Sequence, residues 1–190
     1  AALAALLVVS TPASAQDIHA TQHTTVLSGQ SIAYQALVTR HTVTAQDSDA
    51  TATLVTTAYV RSGVEAASRP VLFIFNGGPG ASTTPLHFGA FGPMRRFGEG
   101  DAQYLLPNPH TLIDEIDLVF IDPVGTGYSR PQDDGKPFWS RSGDARSVAD
   151  AILEWLQTNG REASPRYVLG QSYGTLRAAE ITRVAPELKL

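Results

Sequence analysis

The chain has 190 residues, which suits one domain or a piece of one, and a formal net charge of −4 at pH 7, with its lysines and arginines scattered along it. This charge distribution does not indicate a nucleic-acid-binding protein. The chain has no cysteine, which excludes a disulfide or a thiolate metal site, and its five histidines lack metal-motif spacing. We therefore expect no metal and no other cofactor.

The first element is an apolar run at residues 1–10, followed by the small residues Ala13-Ser14-Ala15. The run is too short to span a bilayer, and the A-x-A pattern is typical of a signal-peptide cleavage site. A buried helix is the alternative interpretation. We expect a signal peptide over residues 1–15, truncated at its start, and a mature chain that begins at Gln16. A secreted product without cysteines fits a bacterial periplasm. No later segment resembles a membrane span, and the oligomeric state is not indicated.

Residues 24–62 alternate polar and apolar side chains. This period of two predicts two strands joined by a turn around Ala45–Ala50, which is rich in Asp and Ser. The positions predicted to share a face are Ile32, Tyr34, Ala36 and Val38 on one strand, and Ala52, Leu54, Thr56, Ala58 and Val60 on the other.

From Pro70 onward the pattern changes to continuous apolar runs, which indicate strands covered on both faces of a sheet. The predicted strands are 71–75, 118–121 and 167–169; the predicted helices are 143–159, with Ser142 as N-cap, and 173 to about 184. This alternation predicts an α/β fold with a mostly parallel sheet, entered through an antiparallel N-terminal hairpin.

A G-x-S-x-G segment, Gly170-Gln171-Ser172-Tyr173-Gly174, lies between a predicted strand and a predicted helix. A serine at such a sharp turn is exposed as a nucleophile, and the small glycines prevent collisions across the turn. A phosphate-binding connection is the alternative, but the spacing fits neither G-x-G-x-x-G nor a P-loop. An earlier turn, Asn76–Gly80, is suited to pointing backbone N–H groups at an oxyanion. Together the two turns predict half of an active site for acyl transfer.

With Asp122–Ser129 between them, these segments resemble, in this order, the hallmarks of the serine carboxypeptidase family of the α/β-hydrolase fold. Those hallmarks are an N-G-G-P-G turn, a D-x-P-x-G-x-G-[FY]-S segment and a G-E-S-Y-[AG] elbow. The likeness covers about residues 70–185, including Asn108-Pro109, and residues 86–93 look more like bacterial members than plant or fungal ones. We therefore expect the N-terminal part of an α/β-hydrolase domain over residues 16–190.

The resemblance implies a serine-type carboxypeptidase that hydrolyses C-terminal residues of peptide substrates through an acyl-enzyme. It implies that Ser172 is the nucleophile and that the backbone N–H groups of Gly78 and Tyr173 form the oxyanion hole. Asn76 would hydrogen-bond the terminal carboxylate of the substrate. The Asp and His of the triad are expected after Ser172, where this chain has neither, so we expect a fragment that lacks both.

Two positions depart from the family pattern. Family members bind the substrate carboxylate with two glutamates that share a proton, whereas this chain has Gln171 and Ala90 in those places. A Gln amide can donate a hydrogen bond to a carboxylate without being protonated, so we expect Gln171 to bind substrate. Arg95 or Arg96 is a second candidate for carboxylate binding, or a solvated basic pair. Because the acidic pair is missing, an acyltransferase or esterase, or a non-catalytic binding relative, stays open as an alternative.

We also predict the roles of four further residues from the sequence. Asp122 is expected to be a turn-forming carboxylate because it precedes a proline. Tyr128 is expected either to line an acyl pocket or to pack under its loop. Trp139 and Trp155 are expected to be packing residues rather than substrate platforms.

Overall fold

The structure, a computed structural model, describes residues 18–190 of the chain. The predicted signal peptide over residues 1–15 and the predicted mature N-terminus at Gln16 lie outside the described residues. The strands are β1 (Ile18–Leu27), β2 (Gln30–Thr44), β3 (Thr51–Arg61), β4 (Val71–Phe75), β5 (Met94–Phe97), β6 (Tyr104–Pro107), β7 (Asp117–Asp122), β8 (Arg130–Pro131) and β9 (Arg166–Gly170). The α-helices are α1 (Thr84–Leu86), α2 (Arg141–Thr158) and α3 (Tyr173–Val184).

One mixed sheet organises the described chain, with strand order β1-β2-β3-β7-β4-β9 and with β8 paired to β3. Strands β1, β2, β3 and β7 pair antiparallel, whereas β4 pairs parallel to both β7 and β9. The chain crosses over the sheet between β7 and β9, which lie on either side of β4, and α2 forms most of this connection. Strands that run parallel need such a long crossover. The predicted α/β-hydrolase fold is confirmed, with an antiparallel entry and a parallel centre.

The antiparallel entry is larger than the predicted hairpin. Strands β2 and β3 meet at the predicted turn, where the Ala45 N–H donates to the Ala50 carbonyl at 2.9 Å. A preceding strand, β1, turns into β2 at Ser28-Gly29 and pairs along its length. The entry is therefore a three-stranded meander.

Two cores cover the two faces of the sheet. Helix α2 packs its Ala145, Val148 and Ile152 on one face, and the other face is covered by residues that include Leu86 and Ile113. On β3, the predicted face with Ala52, Leu54, Ala58 and Val60 packs against the α2 side.

The predicted face of β2 is buried over only part of its length. Ile32 and Tyr34 are buried on the side away from α2, but Val38, on the same face, is exposed. Towards the end of β2 the opposite face is covered instead, and Val43 belongs to the core beneath α2. A 15-residue strand runs past the covering elements of both faces, so no single alternation describes it.

The helices begin close to where the sequence predicts. Helix α3 has the predicted bounds, whereas α2 starts two residues earlier than predicted. The prediction of Ser142 as N-cap is wrong: Ser140 caps α2, and its Oγ accepts the Gly143 N–H at 3.0 Å. None of the helices found between residues 18 and 190 is long and apolar enough to cross a membrane.

Candidate active site

Ser172 stands at the junction between β9 and α3 with φ 57° and ψ −126°. Positive φ is uncommon for a residue other than glycine, and such strain concentrates at functional sites. The serine is exposed at the carboxyl end of a parallel strand, the edge at which α/β sheets bind ligands. A Cβ at Gly170 would overlap the carbonyl of Gly174, so this tight turn requires glycine as predicted.

The Asn76–Gly80 turn packs directly on this elbow. Strands β4 and β9 are parallel neighbours, with Phe75 paired to Gly170, so both turns leave the same edge side by side. A Cβ at Gly77 would lie 2.5 Å from the Tyr173 nitrogen, closer than any side chain permits. The missing side chain thus lets the two turns touch.

The predicted oxyanion donors lie on these two adjoining turns. Gly78 has φ +108°, a conformation that favours glycine. Tyr173 is the first residue of α3, where a backbone N–H has no intrahelical acceptor. An N–H at a helix start also favours negative charge, as an oxyanion requires.

The two residues predicted to bind the substrate carboxylate have different surroundings. Asn76 is buried; its Oδ1 accepts the Gly77 N–H at 2.9 Å and its Nδ2 donates to the Ser82 carbonyl at 3.3 Å. Its amide thus shapes the turn and retains one further N–H. Gln171 is exposed beside Ser172.

The short π-helix that carries Ala90, His87–Phe91, is held by Asn108. This fully buried asparagine donates from Nδ2 to the carbonyls of Ala90 at 2.7 Å and Gly92 at 2.8 Å. On strand β5, which follows this helix, the guanidinium of Arg95 lies 5.8 Å from the centre of the Phe97 ring, and Arg96 is exposed.

A buried ion pair behind the two turns was not predicted from the sequence. Arg177 is 2% exposed; its Nε donates to Asp144 Oδ2 at 2.8 Å and its Nη1 donates to the Asn76 carbonyl at 2.5 Å. The guanidinium also lies 5.3 Å from the ring centre of Tyr173. Arg177 therefore connects α2, α3 and the glycine turn.

Burial raises the pKa of Asp144, and the charge and hydrogen bond of Arg177, with a hydrogen bond from Tyr173, oppose that rise. One sequence signal indicates that Arg177 is buried, but it does not identify Asp144 as its partner. Arg177 stands four residues after Tyr173 and four before the buried Ile181, so it interrupts the buried face of α3 with a charge.

A cavity of about 330 Å³ opens between the glycine turn, the loop after β7 and the starts of α2 and α3. Its walls include Pro79, Val124, Phe138, Trp139, Tyr173 and Arg177, and Asp144 also reaches it. The expectation that Trp139 is a packing residue is wrong, because its side chain is 63% exposed at this cavity. Trp155 does pack in the core, edge-on to Phe73.

The segment after β7 has a structural role. Asp122 Oδ1 accepts the Thr83 N–H at 2.8 Å, and Ser129 Oγ donates to the Asp122 carbonyl at 2.6 Å. The carboxylate of Asp122 therefore holds Thr83, on a segment distant in sequence, and the expectation that it forms a local turn is wrong. Tyr128 is 85% exposed, so it neither packs under its loop nor lines the cavity.

The two buried histidines have structural partners. His87 Nε2 lies 2.6 Å from the Tyr59 hydroxyl, and burial lowers the pKa of His87 to about 4. His41 Nε2 lies 3.0 Å from Thr56 Oγ1, and its Nδ1 lies 3.1 Å from Glu154 Oε2. Across residues 18–190, His, Asp and Glu side chains form no group of three or more that could hold a metal ion.

A family model described as serine carboxypeptidase matches residues 58–183, more than half of the chain. Serine carboxypeptidase-like 36 from Arabidopsis thaliana is 33% identical over 112 residues, 55% of this chain and 22% of that protein. Serine carboxypeptidase-like 5 from the same plant is 32% identical over 122 residues, 60% of this chain and 27% of that protein. The chain thus spans about a quarter of the length of these curated relatives.

Among solved structures, a peroxisomal alpha-beta-hydrolase from Saccharomyces cerevisiae is 16% identical, with a TM-score of 0.48 over 91% of this chain and 41% of that one.

Proposed function

Because the chain belongs to the serine carboxypeptidase family, we propose that its full-length protein is a serine-type carboxypeptidase. Ser172 Oγ forms a bond to the carbonyl carbon of the last peptide bond as its proton passes to a histidine. The C–N bond then breaks, the histidine returns the proton to the leaving amine, and water hydrolyses the acyl-enzyme. The histidine and its orienting Asp are expected after Ser172.

The observation that supports this proposal is the packing of the glycine turn on the serine elbow. Ser172 stands in a strained, exposed conformation, and the backbone of Gly77 lies against the N–H of Tyr173. The oxyanion that forms on the substrate carbonyl would thus meet the start of α3 and the N–H of Gly78. Such donors bind the charge that develops on the carbonyl oxygen in the transition state, and they therefore lower the activation barrier.

Covalent labelling tests the proposed nucleophile. We expect a fluorophosphonate probe to label Ser172 in the full-length protein, because an activated serine attacks phosphorus as it does carbon. Ser172→Ala is the control and should abolish labelling. An intact Ser172 peptide in folded, probe-treated protein would contradict the proposal and favour the non-catalytic relative.

An acyltransferase or esterase on the same scaffold is the second candidate, favoured by Gln171 and Ala90 in the places of the glutamate pair. Blocked dipeptides with a free carboxylate, compared with their amides and methyl esters, separate the two candidates. A carboxypeptidase requires the free carboxylate. Transfer to an added alcohol, or equal rates on the ester, would favour the second candidate.

The pH profile tests the role of Gln171. Since a Gln amide needs no shared proton to bind a carboxylate, the low-pH limit should be the triad histidine, with an ordinary pKa of about 6.5. Activity should therefore rise through mildly acidic pH and stay high at neutral pH. Gln171→Glu should weaken substrate binding at neutral pH and recover in part under acid conditions. A wild-type optimum below about pH 5 would contradict this role.

We also propose that the protein is a bacterial-type member, exported to the periplasm or the medium. The apolar run and the A-x-A pattern support export. N-terminal sequencing of the natural protein should begin at Gln16. A cytosolic protein that retains residues 1–15 would exclude export.

A further inference from the structure

We propose that the free edge of strand β1 pairs with the same edge of a second copy of this chain, giving a two-fold dimer with one sheet continuous across both copies. Among residues 18–190, β1 ends the strand order of the sheet, and no strand pairs with its outer edge. The candidate active site follows β9, at the other end of that order. The inference therefore concerns a different surface and does not depend on the proposed catalytic activity.

The outer edge of β1 lacks the features by which sheet edges avoid pairing. Natural edge strands are short, or they carry charges, prolines or bulges. Strand β1 is 10 residues long and contains no Asp, Glu, Lys, Arg or Pro. It pairs with β2 residue for residue along its length, so it has no bulge. Such an edge is a template for another extended strand.

The turn between β1 and β2 determines which backbone groups face outward. Ser28 and Gly29 form a two-residue turn, with φ of 50° and 79°. In such a turn the flanking residues, Leu27 and Gln30, exchange both of their backbone hydrogen bonds. Hydrogen-bonded pairs alternate with non-bonded pairs along an antiparallel ladder. The even-numbered residues of β1 therefore direct their N–H and C=O groups away from β2.

These outward groups fit a second copy of the same edge. With a two-fold axis at Gln22, Ala20 lies opposite Thr24 of the second copy, and Gln22 lies opposite its own counterpart. Each outward-facing residue of β1 then meets an outward-facing residue of the other copy. A two-fold pair also brings like side chains together, so a charged edge would repel itself. The chain has a net charge of −4, and the uncharged β1 lets two copies approach without that repulsion at the contact.

The segment before β1 is too short to cover this edge if the proposed cleavage is correct. Only Gln16 and Asp17 then precede β1, and a chain needs at least a two-residue turn before it can pair with its own edge strand. Between His19 and Val26, every side chain except that of Thr25 is exposed. The described part of the chain therefore leaves β1 accessible to a second copy.

The size of the contact sets the expected affinity. Standard stable interfaces bury about 800 Å² on each partner, and weaker, transient ones bury less. A contact made mainly by one strand from each copy belongs to the small class. We therefore expect a dimer that dissociates in the micromolar range rather than an obligate one.

Sedimentation equilibrium of the full-length, processed protein tests the proposal. We expect dimers with a dissociation constant below about 100 µM. Gln22→Pro removes an outward N–H but no β1–β2 hydrogen bond, and it should weaken dimerisation by about tenfold or more. Gln22→Thr keeps that N–H, is the matched control and should dimerise like the wild type. Urea unfolding at low protein concentration checks that both variants are folded.

Cysteine crosslinking tests the register and does not require Gln22→Pro to fold. In the proposed pair, the Cα atoms of Gln22→Cys lie about 5.5 Å apart across the axis, within reach of a disulfide. Mild oxidation should therefore crosslink this variant. Ala33→Cys, exposed on β2, is the control: two copies of it lie three strand spacings apart, at least about 14 Å, and should not crosslink.

Three results would overturn the inference. The first is a wild-type protein that stays monomeric at about 100 µM, which would mean that another part of the full-length chain covers the edge or that the edge stays unpaired. The second is a dimer that folded Gln22→Pro does not weaken, which would place the interface elsewhere. The third is equal crosslinking of the two cysteine variants, which would exclude the proposed register.

Discussion

Replacing Arg177 by Met tests whether the buried ion pair holds the elbow and the glycine turn together. The substitution removes the counter-ion of Asp144 and the donor to the Asn76 carbonyl, at a side chain only 2% exposed. Breaking a buried pair by removing one partner costs about 3–5 kcal/mol, because the other charge is left uncompensated. We expect a loss of stability of that size in the Arg177→Met variant.

A double variant separates charge from packing. Asp144→Leu combined with Arg177→Met leaves no buried charge, so it should be less destabilised than Arg177→Met alone. Urea unfolding followed by tryptophan fluorescence measures both variants in the full-length protein. Arg183→Met is the matched control on the same helix: its side chain is exposed and pairs only with Glu180 in the described contacts, so stability should not change measurably.

Arg177→Met should also slow the covalent labelling of Ser172. Without Arg177 the Asn76 carbonyl is no longer held against α3, and small displacements of catalytic groups cost about 100-fold in rate. We expect fluorophosphonate labelling of Ser172 to slow by about 10- to 100-fold in folded Arg177→Met, with Arg183→Met unaffected. Wild-type stability and labelling in Arg177→Met, or a double variant at least as unstable as Arg177→Met, would refute the reasoning.

Three further substitutions test the contacts around the site and the fold. Gly77→Ala should abolish labelling of Ser172, because the new Cβ would lie 2.5 Å from the Tyr173 nitrogen at the start of α3. Gly89→Ala is the control and should leave labelling intact, because its Cβ would meet nothing within 4 Å. Equal labelling of both variants would contradict the close packing. Stability to urea should fall as pH drops from about 6.5 to about 4, by up to about 3 kcal/mol, because the unfolded chain protonates His87 while the folded chain keeps it neutral. His87→Phe should flatten this slope, and an unchanged slope would assign it to other groups. Ser140→Ala should cost about 1 kcal/mol as a lost N-cap, whereas a comparable loss in Ser142→Ala would restore the sequence-based assignment.

The parallel centre of the fold could be predicted because its strands are short apolar runs. Val71–Phe75 is buried at every position, and such a run has no other stable place than a sheet covered on both faces. Strand β1 could not be predicted in the same way. Its side chains are mostly polar and exposed, and β1 is held by backbone pairing with β2 along its length.

The two turns of the site could be predicted because each is a glycine-rich segment directly after an apolar strand. A side chain at Gly170 would collide with its own turn, whereas a side chain at Gly77 would collide with the other turn, which the sequence alone does not show. The Asp144–Arg177 pair could not be predicted, since it joins positions 33 residues apart and depends on how α2 packs against α3. The exposure of Trp139 also depends on packing, here of the loop that precedes α2.

The strained backbone of Ser172 and the buried Asp144–Arg177 pair are connected by contacts through the glycine turn. A non-glycine residue at φ 57° costs about 1–3 kcal/mol and persists only where its surroundings fix it. Three contacts fix the conformation of Ser172. Two of them are hydrogen bonds within the elbow: the Ser172 carbonyl accepts the Thr175 N–H at 2.9 Å, and the Gln171 carbonyl accepts the Gly174 N–H at 2.8 Å. The third is the glycine turn, whose Asn76 carbonyl is anchored by Arg177. A G-x-S-x-G sequence therefore specifies the shape of the elbow, while the ion pair behind it anchors the turn that carries Gly78, one of the two proposed oxyanion donors.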